Sequence, residues 1–173
     1  MTKQGAHPWG METFQPDPRP AIPTQLQASF RLWLLAVAAG LFETVLVVVD
    51  ATNGEVGSAA EVAVGVAVRL LIFTGAVYLA TRLRQGRNWA RVALAVLLGG
   101  IGTLSLVIGP VTWLAEGGSL TDAVAAADLG SVLFAASRVV HLGAVIAALI
   151  LMFHPAVNAY IRATTRAAAG RGT

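Results

Sequence analysis

Four long apolar segments, separated by short polar ones, dominate the pattern of hydrophobic and polar positions along this chain. Each is about 20 residues long, enough for a helix to cross roughly 30 Å of hydrocarbon at about 1.5 Å per residue. The pattern predicts an all-α membrane protein, a bundle of four transmembrane helices with spans at about 31–49, 62–83, 89–114 and 131–153. A shift of about 60 residues aligns several positions of the first and third spans, which is compatible with two repeated helical hairpins.

The segments outside the spans divide the rest of the chain. Residues 1–29 are rich in proline, contain no apolar stretch of the signal-peptide type and are predicted to form a disordered cytoplasmic tail. Residues 30–154 form the predicted transmembrane domain, and residues 155–173 a basic cytoplasmic tail, helical to about residue 169. In the loop before the fourth span, Ser119 and Asp122 predict a short capped helix that Gly130 closes.

Composition supports a membrane location, since 56% of the residues are hydrophobic and 12% charged, against about 25% charged in soluble domains. The chain has no cysteine, which excludes disulfides, thiol redox chemistry and cysteine metal sites. The basic residues flank the apolar segments, so they indicate topology and contacts with anionic lipid and not nucleic-acid binding.

Charge also predicts orientation. Every arginine outside the spans lies in the two tails or the middle link, whereas the other two loops carry six acidic residues and no lysine or arginine. The positive-inside rule therefore places both termini in the cytoplasm. Arginine far outnumbers lysine, which is typical of GC-rich bacterial genomes, so we expect a multi-pass protein of a bacterial cytoplasmic membrane.

Three charged residues lie well inside the spans, namely Glu43, Arg69 and Arg138, at similar depths from the acidic loops. Charges at such positions are costly and are candidates for functional sites. We expect Glu43 and Arg69 to form an ion pair, because the short loop makes spans one and two antiparallel neighbours. Arg138 would share Glu43, extend toward Asp128 or hold an anionic headgroup, and His141, on the same helix face, is expected to be a packed histidine of this polar network.

Four glycines are candidates for close helix packing, because small residues let neighbouring backbones approach. Gly40 shares the helix face of Glu43, and Gly65 that of Arg69. Gly99 and Gly100 lie together in the third span.

No catalytic, nucleotide-binding or metal-binding motif is present in the sequence. We therefore expect no enzyme activity, metal or cofactor, and interpret the chain as an accessory or self-associating subunit whose Glu/Arg network fixes helix register. The expected partners are the bilayer, anionic lipid, and further copies or a larger membrane complex. The alternative is a small proton-coupled transporter, or a lipid or small-molecule transporter, that uses Glu43. A lipid enzyme is disfavoured, because Glu43 and His141 lack a nucleophile.

Two segments resemble small four-span membrane proteins of actinobacteria. They are QGRNWARVALAVLL, at residues 85–98, and LMFHPAVNAYI, which closes the last span at residues 151–161. The likeness covers residues 25–162 and implies the four-span architecture. It implies no activity.

The orientation can be tested with single cysteines, because the native chain has none. Asn53→Cys and Ser119→Cys, in the acidic loops, should react with an impermeant thiol reagent in intact cells, whereas Gln85→Cys, in the basic link, should not. Labelling of Gln85→Cys from outside would contradict the topology.

Overall fold

A computed structural model describes residues 20–54 and 58–169. In this part of the chain the protein is built from helices without strands, and four of them are long and apolar enough to span a membrane. This confirms the predicted all-α, four-helix architecture. The six helices are α1 (Thr24–Thr52), α2 (Ala59–Arg84), α3 (Asn88–Ala115), α4 (Leu120–Ala125), α5 (Leu129–Met152) and α6 (Pro155–Ala169).

Helix α1 begins earlier than the apolar pattern predicts. Pro23 lies directly before its first turn, and residues 24–29, which we assigned to the disordered tail, are helical. Leu26 in this added segment is completely buried, so tertiary packing stabilises the helix there. The polar residues around Leu26 make the same segment resemble a tail when only the sequence is considered. Residues 1–19 of the predicted tail lie outside the described residues.

Side-chain caps start α2, which follows the first acidic loop, and α4, which lies within the second acidic loop. Ser58 and Glu61 form a capping box at α2, in which each side chain accepts a hydrogen bond from the backbone N–H of the other residue. Ser119 caps α4 by accepting from the N–H of Asp122. The short helix in this loop therefore begins where the sequence indicates.

Helix α5 begins earlier than expected, because Asp128 is its cap. The Asp128 carboxylate accepts hydrogen bonds from the N–H and hydroxyl of Ser131, and these bonds lower the pKa of Asp128. Gly130, which we expected to close α4, instead lies in the first turn of α5. The prediction was wrong because an aspartate cap begins a helix at the residue after it, whether or not a glycine follows.

The bundle has one basic and one acidic end. The basic end carries seven arginines, Arg31, Arg82, Arg84, Arg87, Arg91, Arg162 and Arg166. The acidic end carries Asp50, Glu61, Glu116, Asp122 and Asp128. Within the described residues, no carboxylate lies at the basic end, because Glu43, the remaining one, is deep in α1.

The core is concentrated at the basic end. It combines Trp33 of α1, Leu83 of α2, Leu94 of α3 and Met152 of α5 with the inner face of α6, and these side chains are almost completely buried. In contrast, the part of α3 after residue 102 contains no buried residue, and the buried residues of α2 all lie after residue 75. The helices are therefore tightly packed at the basic end and more open at the acidic end.

Two reciprocal hydrogen bonds join α1 to α5. The Ser29 hydroxyl donates to the carbonyl of Ala148 at 2.9 Å, and the Ser137 hydroxyl donates to the carbonyl of Ala39 at 3.1 Å. Both serines are buried. Since the donors lie on different helices and near opposite ends of the contact, the pair fixes the antiparallel register.

Helix α3 contains a π-helical segment, Ala95–Gly102, between two α-helical parts. A π-segment changes the rotational register of the residues after it, and such segments are frequent at functional sites. Gly99 lies in this segment and faces α5, where a Cβ on Gly99 would lie 2.9 Å from the Leu149 side chain. A Cβ on Gly100 would meet within 4 Å only the carbonyl of Ala95, from its own helix. The expected packing role of Gly100 against a neighbouring helix is therefore wrong, since the residue faces away.

These two glycines provide a matched pair of substitutions. Gly99→Leu should destabilise the fold by about 1–3 kcal/mol, because the new side chain overlaps Leu149. Gly100→Leu should change the stability by less than about 0.5 kcal/mol, because its side chain points away from other helices. Thermal unfolding in detergent measures both, and equal losses would contradict the assigned orientation of α3.

Candidate intramembrane binding site

Glu43 of α1 lies between two side chains of α5. Its Oε2 is 3.9 Å from Nε of Arg138, and its Oε1 is 3.7 Å from Nδ1 of His141. The register set by the Ser137–Ala39 hydrogen bond produces this arrangement, since Glu43 lies one turn beyond Ala39 on α1 and Arg138 follows Ser137 on α5. The site is thus a direct result of the α1–α5 contact.

Arg69 of α2 contributes to the same region without contacting the carboxylate. It is not within salt-bridge distance of Glu43, so the direct Glu43–Arg69 pair expected from the sequence is wrong. One guanidinium nitrogen of Arg69 lies 3.5 Å from where a Cβ on Gly65 would be, which shows that the side chain runs back along its own helix. Arg69 nevertheless lines the same cavity as Glu43, Arg138 and His141.

The polar atoms of this cluster are close but do not form hydrogen bonds with one another. Distances of 3.7 and 3.9 Å exceed the range of 2.7–3.2 Å that is usual for such bonds. Among the described residues, Glu43 Oε1, Arg138 Nε and His141 Nδ1 are buried and have no hydrogen-bond partner. Buried polar atoms are normally paired, so the cluster is incompletely hydrogen-bonded in this arrangement, and a group that displaces the Glu43 carboxylate would find unpaired donors on Arg138 and His141.

The cluster forms one wall of a cavity of about 280 Å³ between α1, α2, α3 and α5. The remaining walls are mainly apolar, and they include Ile72 and Phe73 of α2, Leu98 and Leu106 of α3, and Val145 of α5. Small ligands bind in apolar cavities that have a few converging polar groups, and typical volumes begin at about 300 Å³. The cavity therefore has the chemistry of a ligand site and the size for a small ligand.

Two glycines border the cluster in different ways. A Cβ on Gly40 would lie 2.8 Å from the Phe73 ring and 3.3 Å from the His141 ring, so this glycine permits close approach of both neighbours. A Cβ on Gly65 would meet only the side chain of Arg69, on its own helix. Gly65 thus gives no close contact with another helix, contrary to the expected packing role.

The formal charges in the cavity do not cancel. Glu43 supplies one negative charge, whereas Arg69 and Arg138 supply two positive charges, before any proton on His141. The balance favours an anion.

In the described ranges, no three His, Asp or Glu side chains form a group that could hold a metal ion.

Some residues of the site were not identified from the sequence. Phe73 forms part of the wall, and Gly102 and Ser105 reach the cavity from the end of the π-segment and the turn after it. An apolar segment rich in small residues gives no indication of which face will border a cavity. For these residues the sequence offers one usable signal: Gly102 and Ser105 are three positions apart, a spacing that places them on a common helix face.

Comparison of the chain with protein-family models, with curated proteins and with solved structures finds no match. The resemblance to four-span actinobacterial proteins stays a prediction.

The geometry predicts that Glu43 couples energetically to Arg138 more strongly than to Arg69. Glu43→Gln and Arg138→Gln should each destabilise the protein by about 1–2 kcal/mol, less than a fully buried pair, because Arg138 is 35% exposed. The double variant should recover part of the combined loss, since neither member of the Glu43–Arg138 pair is then left without its partner.

A second cycle with Arg69→Gln is the matched control, and its coupling to Glu43→Gln should be smaller. Thermal unfolding in detergent gives both cycles. Strict additivity for Glu43 and Arg138, or stronger coupling to Arg69, would contradict the observed pairing.

Proposed function

We propose that the protein is a non-enzymatic carrier of the cytoplasmic membrane that binds a small organic anion in the cavity beside Glu43. The carboxylate or phosphate of the ligand lies between Arg69 and Arg138, and its apolar part contacts Phe73 and Leu106. The observation that carries this proposal is the group of three buried, unpaired polar atoms in a cavity with excess positive charge.

In this proposal Glu43 is an exchangeable counter-ion of Arg138. Without a ligand, the Glu43 carboxylate lies beside Arg138 and His141. When an organic anion takes its place, Glu43 accepts a proton, so one anion and one proton enter together and the net charge of the cavity is unchanged. This exchange avoids a large change of charge within the membrane, which would be unfavourable.

An accessory subunit with a structural ion-pair network is the competing interpretation. Such a network is expected to have short, well-formed contacts, since a buried ion pair is favourable only with good geometry. The 3.7 and 3.9 Å separations around Glu43 instead support an exchangeable group. The large exposed apolar faces of α2 and α3 do not decide between the interpretations, because lipid covers such faces.

The charge distribution supports an orientation for this carrier. The arginine-rich basic end faces the cytoplasm, and the more open acidic half of the bundle faces the outside. In this orientation, an external ligand reaches the cavity from the less tightly packed side.

Proton-coupled binding can be measured with a medium-chain carboxylate such as octanoate. Calorimetric titration of the full chain in detergent, in two buffers of different ionisation enthalpy, gives the number of protons taken up. We expect about one proton per octanoate, and affinity that rises as the pH falls, because proton uptake accompanies binding. Glu43→Gln should bind octanoate without proton uptake, and with an affinity that depends little on pH.

Arg138→Gln should weaken octanoate binding by about tenfold or more, because a charge-assisted contact is lost. Arg87→Gln, at the basic end and outside the cavity, is the matched control and should bind normally. Absence of octanoate binding, or binding that Arg138→Gln leaves intact, would contradict a carboxylate carrier. Strong Glu43–Arg138 coupling in the stability cycle without any binding would favour the accessory subunit.

A further inference from the structure

A second cavity lies at the basic end, remote from Glu43. It has a volume of about 660 Å³ and is formed between the first turn of α3 and helix α6. Three arginines and three neutral polar residues line it, namely Arg91, Arg162, Arg166, Asn88, Asn158 and Thr165. No acidic side chain is among the lining residues.

Helix α6 is held firmly against the bundle, so the cavity has a defined shape. Val157, Tyr160 and Ile161 are buried, and the Tyr160 hydroxyl donates to the carbonyl of Arg84 at 3.0 Å. The link between α2 and α3 turns at Gly86, whose φ of +77° suits glycine, and the Thr164 side chain packs directly against it. Any side chain at Gly86 would overlap Thr164, so this close contact sets the position of α6.

On α6, Arg162 and Arg166 are one turn apart and therefore share a face. Both side chains are exposed. They are thus accessible to a ligand and are not required by the core. Their fixed backbone places two guanidinium groups beside Arg91.

Arg91 is oriented by its neighbours and retains an unused donor. One of its terminal nitrogens donates to Asn158, and its guanidinium carbon lies 4.3 Å from the centre of the Phe153 ring. Its Nε is buried and, among the described residues, has no hydrogen-bond partner. The guanidinium is therefore preorganised, and the planar donors that Arg91 presents to the cavity match phosphate oxygens.

The charges at this cavity have no protein counter-ion within the described part of the chain. All described carboxylates lie at the acidic end or, like Glu43, deep in α1. The cavity also lies where the apolar part of α3 begins, beside Trp89, which is 51% exposed. An exposed tryptophan next to a transmembrane helix end is typical of the lipid headgroup level.

We propose that the cavity formed by Arg91, Arg162 and Arg166 binds the phosphate group of an anionic ligand, supplied by the phosphodiester of an anionic phospholipid. The guanidinium groups bind the phosphate oxygens, Asn88 and Thr165 complete the polar surface, and the acyl chains extend along α3. This site is independent of the anion cavity beside Glu43, which is closer to the other end of the bundle.

The test uses the full chain in a neutral maltoside detergent, with thermal stability followed as ligand is added. The three probes are dioctanoyl phosphatidylglycerol, inorganic phosphate and dioctanoylglycerol, which has the same chains and no phosphate. Phosphatidylglycerol should bind, and Arg162→Gln and Arg166→Gln should each weaken it about fivefold, since each removes one charge contact. Dioctanoylglycerol should bind weakly and equally to all variants.

Arg87→Gln is the matched control, because Arg87 is exposed at the same end and does not line the cavity. It should bind phosphatidylglycerol as the native protein does. Binding of inorganic phosphate with the same dependence on Arg162 and Arg166 would support the site and identify a soluble phosphate as the source. Equal losses in Arg87→Gln and Arg162→Gln, or no loss in either α6 variant, would overturn the proposal.

The variant Arg91→Lys distinguishes phosphate binding by the oriented Arg91 guanidinium from a general effect of positive charge. The change keeps the positive charge but removes Nε and the planar donor geometry. Phosphatidylglycerol affinity should fall in this variant. Unchanged affinity would show that Arg91 is not a ligand-binding residue of the site and would overturn its assignment.

Discussion

The contact between α1 and α5 determines most of the arrangement of this protein. In a bilayer, helices gain little from burying apolar surface against each other, because lipid chains are equally apolar, so close fit and interhelical hydrogen bonds decide which helices associate. Here alanines at the contact allow the backbones to approach, and the hydroxyls of Ser29 and Ser137 each bind a carbonyl of the other helix. These two bonds set the register that brings Glu43 beside Arg138 and His141.

The uneven packing of the bundle follows from where large and small residues lie. Trp33, Leu83, Leu94 and Met152 fill the space at the basic end. Around Glu43 the helices carry small residues, which leave the space that the charged side chains share. The π-segment of α3 turns Gly102 and the following residues toward that space. A polar cluster can thus exist inside a membrane protein without disrupting the packing that holds its helices together.

The sequence was sufficient for the features that depend on one helix at a time. Apolar length predicts the four spans, and counting from their ends places Glu43, Arg69 and Arg138 at a common depth. Which charges meet depends on the rotation of each helix about its axis, and no local pattern determines this. A short loop made α1 and α2 neighbours, but it did not require Glu43 and Arg69 to face each other.

The rotation of each helix about its axis also decides which glycines pack against another helix, and the sequence does not reveal this rotation. Gly40 and Gly99 lie against other helices, whereas Gly65 and Gly100 do not, although all four occur in similar apolar surroundings. The docking of α6 was also beyond sequence reasoning, because it requires Gly86 and Thr164, distant in sequence, to come into contact.

The position of α6 has a consequence for biosynthesis. Helix α6 follows the last span, so it leaves the ribosome after the four spans have been made, and its residues Val157 and Ile161 complete the core. During insertion, the cytoplasmic side of a nascent bundle in the proposed orientation would expose apolar surface that α6 later covers. In that orientation, assembly of the protein would finish outside the hydrocarbon, in a step where the aqueous hydrophobic effect acts on an otherwise lipid-embedded molecule.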